Sequence, residues 1–312
     1  MIPRMVFIEV TRKCNLGCKF CVLHKVRDCS ELSMETLGTI IDQCIRMGVE
    51  HIQFTGGEPT LARHFRDAVQ LALEGGMSVS VLTNGLEQHE LLSAVAEEGA
   101  SVVLSIDGPD IVHDRIRGRV GAWDQTVRLL AAMQDAGRTV SIQFTACADN
   151  LHCLEWFQDF VRVYDIRSII VSAAALPGPQ ETTICGDLRA MRQVRETVLA
   201  IAREAHYHRT VRTNVMTPFQ AGTFYDDPKR VLTGYITSTR DVYLLPYGQC
   251  RVWRVGSCGV EPLSELLADS PRDIHRHLYR SALERVRSQP LGCLLHELHR
   301  VGVQASEERS MA

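Results

Sequence analysis

The chain has 312 residues, 45% hydrophobic and 23% charged, which suits a globular protein with a real core and excludes disordered or fibrous classes. Lys and Arg total 34 against 37 Asp and Glu, a formal net charge of −3, so nothing in the balance points to nucleic acid or an anionic membrane as a partner. No apolar run approaches the ~18 residues of a membrane span, and the opening MIPRMVFIEV is too short for a signal peptide, so a cytoplasmic location without membrane attachment is expected.

In chain order, β-branched runs alternate with amphipathic ones. Residues 6–10 precede 34–47, 51–54 precede 62–73, and 79–82 precede 87–97. The rhythm continues with 102–106 before 123–136, 140–145 before 151–163, and 168–171 before 188–206. Gly48, Gly75 with Gly76, Gly99 and Gly137 each fall where a helix should close ahead of the next strand. Six such βα units predict an α/β fold with a parallel sheet and right-handed crossovers, either open and doubly wound or a partial barrel. After residue 207 the rhythm breaks. Residues 241–255 read as a β-hairpin around Pro246-Tyr247-Gly248-Gln249, 274–286 as a helix, and 305–312 as a polar tail. The expected division is therefore a barrel domain over 1–206 and a smaller C-terminal extension over 207–312.

Eleven cysteines are the compositional oddity, and without a secretory signal they point to metal or redox chemistry rather than a disulfide framework. Cys14, Cys18 and Cys21 stand at C-x3-C-x2-C spacing on the loop after the first strand. Three thiolates so close can wrap one face of an iron–sulfur cubane and leave one iron open, whereas zinc would ask for a fourth ligand nearby.

The stretch CNLGCKFC, with Phe20 just before the third cysteine, resembles the signature of the radical S-adenosylmethionine (SAM) superfamily, and the resemblance spans most of residues 1–175. It implies a partial (β/α)6 TIM-like barrel. It also implies a [4Fe–4S] cluster on Cys14, Cys18 and Cys21 whose open iron chelates SAM, with an electron donor such as flavodoxin or ferredoxin. Reduction would then cleave SAM to methionine and a 5′-deoxyadenosyl radical that abstracts hydrogen from substrate. Supporting motifs keep the family's order. Gly56-Gly57-Glu58-Pro59 resembles the SAM-amino-binding GGEP. Asn84, Ser105 and Asp107 end the third and fourth strands, where the family contacts SAM or substrate. The segment from His113 through Arg117-Gly118 to Trp123 resembles one common in members bearing a SPASM or twitch domain. Arg117 could reach the SAM carboxylate, and Gln143 and Thr145 should face the same mouth.

In SPASM and twitch domains C-terminal cysteines ligate auxiliary clusters. Here Pro246-Tyr247-Gly248, Gly259-Val260 and Cys293 keep the skeleton, but Trp253 and His296 stand where cysteines are expected. Two auxiliary clusters are excluded by ligand count; one, drawn from Cys185, Cys258, Cys293 and His296, stays open, against inert thiols. Cys250, at the hairpin turn, is a candidate hydrogen-atom donor. That role makes the layout similar to the short aminoglycoside epimerases of the neomycin C type. Cys29, Cys44, Cys147 and Cys153 read as packing residues. Because Cys14 lies so near the start, with no room before it for a peptide-recognition domain, a small sugar or aminoglycoside is the expected substrate, with Glu9, Asp107, Asp226, Asp227 and Asp241 available to a cation. Alternatives are a secondary-alcohol dehydrogenase using an auxiliary cluster, a peptide-modifying enzyme served by a separate recognition protein, and a non-catalytic iron–sulfur protein.

Overall fold

The computed structural model describes residues 3–21, 23, 29–174, 181–184, 187–204, 210–213, 232–236, 238–246, 254–258 and 262–267. Seven strands run in parallel in sequence order: β1 (Met5–Thr11), β2 (His51–Gly56), β3 (Ser78–Thr83), β4 (Ser101–Ser105), β5 (Val140–Ala146), β6 (Ser168–Ala173) and β7 (Thr210–Thr213). On the other side of β1, β8 (Leu232–Ile236) pairs in parallel, followed by antiparallel β9 (Asp241–Pro246) and β10 (Arg254–Ser257). The helices are α1 (Met34–Arg46), α2 (Phe65–Glu74), α3 (His89–Glu97), α4 (Asp110–Arg117), α5 (Ala122–Asp135), α6 (Leu154–Val163), α7 (Leu188–Glu204) and α8 (Leu263–Leu267).

Strand alternation sorts the side chains. Val6, Ile8, Ile52, Phe54, Ile142 and Phe144 point to the helices and join one apolar core with Leu37, Ile41, Phe65 and Leu129. Burying each such side chain stabilises the fold by about 1.5–3 kcal/mol, so this layer holds the barrel together. The opposite, inner face mixes Phe7, Leu82, Val103 and Ile170 with polar groups: Glu9, Gln53, Thr55, Ser80 and Ser105 are buried there, while Gln143, Thr145 and Ser172 are half-buried.

Local signals explain the element ends. Ser33 Oγ accepts from Thr36 N at 3.2 Å and caps α1. After α1, Gly48 takes φ +74°, a left-handed value that ends the helix as the sequence predicts. Two features differ from expectation. Helix α4 interrupts the fourth unit, starting after Pro109 and closing on Gly118 at φ +72°. The strands β7 and β8, beyond the expected boundary, extend the barrel sheet itself. The hairpin appears as β9 and β10, with residues 247–253 between them outside the described residues, as are 274–286 and 305–312. Among the described residues no helix is long and apolar enough to cross a membrane.

Candidate active site

The loop after β1 carries the three cysteines, and its backbone is held from the side by the GGEP turn. Gly57 N donates to Thr11 O and Glu58 N to Lys13 O, both at 2.8 Å. A Cβ on Gly57 would lie 2.2 Å from Lys13 O, and one on Gly56, whose φ is +152°, 2.3 Å from Thr11 O. The glycines thus admit the chain's own residues 11–13. Pro59 opens the following single turn of 3-10 helix. Glu58 is buried: Oε1 accepts from Thr60 N (3.3 Å), Thr60 Oγ1 (2.7 Å) and Thr83 Oγ1 (2.8 Å), and Oε2 from Asn84 N (2.8 Å). Burial pushes its pKa up while these bonds pull it down. This carboxylate, the candidate partner of an ammonium group, ties the end of β2 to the end of β3, and Oε2 keeps unshared capacity.

Asn84, expected at SAM or substrate, also turns to the cysteine loop, its Nδ2 donating to Asn15 Oδ1 at 2.8 Å while its Oδ1 accepts from Leu86 N at 2.9 Å. Asn15 Nδ2 in turn donates to Glu87 Oε2 at 3.4 Å. This clamp was missed by sequence reasoning, although Asn15 stands inside the cysteine motif. On the far side, Gly17 N and Lys19 N donate to Arg117 O (3.2 Å) and Ile116 O (2.9 Å), filling C-terminal carbonyls that α4 leaves unpaired. Gly118 is needed there, because a Cβ would lie 2.9 Å from Gly17 O.

Arg117 itself is buried. Its Nη2 lies 2.5 Å from Asp107 Oδ2, its Nη1 donates to Cys18 Sγ at 3.7 Å, and its guanidinium carbon sits 5.5 Å over the Phe20 ring. Asp107 Oδ1 accepts from Thr145 N at 2.8 Å, and Asn150 Nδ2 donates to Asp107 O at 2.8 Å, so a second asparagine without a motif holds the same corner. Phe20 packs on Ile116, Cys147 and Ala174. Ser105, Gln143 and Thr145, the candidate contacts at the mouth, keep hydroxyl and amide groups unspent among the described residues.

His113 is fully buried beside this corner, its Nδ1 accepting from Asp107 N at 3.2 Å, so it is neutral. Burial, then the Arg117 charge, lowers its pKa from 6.5 to about 3. The unfolded chain therefore binds the extra proton first. The stability from neutral His113 is whole above pH 6.5 and is lost as pH falls toward 3, by about 2 kcal/mol between pH 7.5 and pH 5. Urea unfolding at those two pH values should show that loss in the native protein. It should be absent from a His113→Gln variant, whose amide oxygen can still accept from Asp107 N.

The thiols differ in setting: Cys14 is exposed, Cys18 buried and Cys21 intermediate, though all three are near enough to interact electrostatically. They are not drawn together, since among the described residues no three His, Cys, Asp or Glu side chains form a metal-holding group. Two observations nonetheless fit a [4Fe–4S] cluster. The donor set is three thiols without a fourth, and Arg117 Nε, buried beside Cys18, has no acceptor. Farther off, Cys258 is buried in the helix-side core, and its charge is felt by Cys44 on α1, whose thiol is pushed up to about 12 mainly by burial. Cys258 therefore packs on the helix side of the sheet. Cys147 and Cys153 are buried and Cys29 exposed. Cys185, Cys250, Trp253, Cys293 and His296 lie outside the described residues.

A partial barrel with a three-cysteine loop pinned at the C-terminal ends of its strands defines a class of cluster-bearing barrel proteins. Residues 8–155 match the model of the Radical SAM superfamily. The chain is 31% identical to Fe-coproporphyrin III synthase of Methanosarcina barkeri over 208 residues, 65% of this chain and 52% of that protein. It is 32% identical to the sporulation killing factor maturation protein SkfB of Bacillus subtilis, covering 48% of this chain and 37% of that one. With PqqA peptide cyclase of Rhodopseudomonas palustris it shares 29% identity, covering 49% of this chain and 42% of that one. The chain thus spans about half the length of these relatives, or less. SuiB of Streptococcus suis, solved with S-adenosylmethionine, matches with a TM-score of 0.73 at 17% identity over 95% of this chain and 72% of that chain, a shared fold.

Proposed function

We propose that this chain is a radical SAM enzyme that acts on a ribosomally made peptide brought to it by a separate recognition protein. The observation that carries the reading is the chemistry of the inner wall. Among the described residues its unspent polar groups include neutral hydroxyls and amides at Thr55, Ser105, Gln143, Thr145 and Ser172, which suit peptide N–H and C=O groups. A cationic aminoglycoside would need free carboxylates, and of its candidate partners Glu9 and Asp107 are already paired. Glu9 Oε1 accepts from Arg12 Nε and Ser238 Oγ, both at 2.9 Å, and Asp107 faces Arg117. Asp226 and Asp227 lie outside the described residues. The names of PqqA peptide cyclase and of SuiB bound to precursor peptide SuiA add support. The sugar-epimerase reading with Cys250 as donor has less support, because no relative named above carries a sugar in its name.

When bound, a [4Fe–4S] cluster with SAM supplies the electron and the radical for hydrogen abstraction. This chain's residues supply the rest: Cys14, Cys18 and Cys21 hold the cluster, Ser105 and Gln143 offer hydrogen bonds at the mouth, and the polar wall orients the peptide. The test is anaerobic incubation of the reconstituted protein with SAM, dithionite and the peptides encoded in short reading frames beside its gene, read by mass spectrometry. A peptide mass change that depends on SAM is the expected result. Unchanged peptides together with an aminoglycoside that gains deuterium in D2O would overturn the reading in favour of epimerisation.

A further inference from the structure

We infer that the buried Asp107–Arg117 pair sets the reduction potential of the cluster on Cys14, Cys18 and Cys21, Arg117 raising it through Cys18 and Asp107 restraining that effect. The inference rests on the radical SAM reading and adds a role that the SAM-carboxylate expectation for Arg117 does not contain.

Reduction places one more negative charge on a cluster, so N–H···S bonds and nearby positive charge favour the reduced form. Arg117 meets both conditions, donating from Nη1 to Cys18 Sγ with its side chain only 8% exposed, where solvent screens its charge weakly. Nη1 and Nη2 are each already held by one partner, Cys18 and Asp107, which fixes the guanidinium beside the cysteine loop. The same loop runs against the C-terminal end of α4, whose carbonyls present partial negative charge to it through Arg117 O and Ile116 O. The guanidinium offsets that end charge at the ligand nearest to it. Asp107 is the counter-charge: fully buried and 2.5 Å from Nη2, it keeps Arg117 from acting as an uncompensated cation. Arg117 and Asp107 are thus positioning residues of one electrostatic device, built from the fourth strand end and the helix after it.

The pair makes a prediction of opposite signs. In the reconstituted full chain without SAM, the midpoint potential is read by EPR during redox titration. Arg117→Gln should move it to more negative values and Asp107→Asn to more positive ones. In Asp107→Asn the amide oxygen can still accept from Thr145 N, which keeps the corner intact. Arg117→Lys retains the charge and should stay closer to the native value than Arg117→Gln. If Arg117→Gln fails to take up iron, Asp107→Asn and Arg117→Lys carry the test. Shifts of the same sign in the two directions of substitution, or unchanged potentials at full iron content, would overturn the inference. A native chain that assembles no cluster would instead overturn the radical SAM reading together with it.

Discussion

Replacing Cys14, Cys18 and Cys21 together by Ala should leave a folded protein that holds no iron, where the native chain should take up about four irons. The fold survives because the loop is fastened by its backbone. Thr11 O, Lys13 O, Gly17 N and Lys19 N are bonded to the GGEP turn and to α4, and none of those bonds involves a thiol. The local cost is the acceptor that Arg117 Nη1 loses at Cys18, about 1–3 kcal/mol for a buried donor left unpaired. Iron analysis with far-UV circular dichroism reads both halves, and SAM cleavage should vanish with the iron. About four irons remaining per chain would instead show a second cluster.

The next largest effect is expected at Gly57→Ala. The added Cβ would meet Lys13 O at 2.2 Å and Arg12 O at 2.6 Å, both backbone atoms that no rotamer change can move aside. The strand-loop junction must shift, at a cost of about 3 kcal/mol. The displaced backbone leads straight into Cys14, so iron uptake should fall with stability. Gly137→Ala is the control. It too carries a positive φ, +71°, but its Cβ meets nothing within 4 Å, so it should cost about 1 kcal/mol and leave iron loading unchanged. Chemical denaturation and iron content of the two variants check this. Equal iron loading in both would show that the GGEP contact does not position the loop.

Particular elements show how far pattern reading reaches in this chain. Strands β1 to β6 announce themselves by β-branched alternation, and Gly48, Gly99 and Gly137 close helices with φ of +74°, +114° and +71°. Helix α4 escapes because its eight residues, Asp110–Arg117, are largely charged and read as a motif instead of an apolar stripe. The strands β7 and β8 escape for a different reason. They are four and five residues long, and β8 becomes a barrel strand only by pairing with β1, more than two hundred positions earlier.

The site divides in the same way. Spacing along the chain was enough to single out Cys14, Cys18 and Cys21 as candidate ligands of one group, since residues so close in sequence share one loop. It was also enough for the parallel α/β class, because strand and helix periods are local properties. Partner choice for the long polar side chains was not legible. Arg117 meets Cys18 across 99 positions, Asn84 meets Asn15 across 69, and Glu58 meets Thr83 across 25. Read singly, each looked free to contact a cofactor. Folding buries all three, and a buried donor or acceptor must find a partner where water is excluded, so each gains a partner in the packed barrel mouth that no local pattern could name.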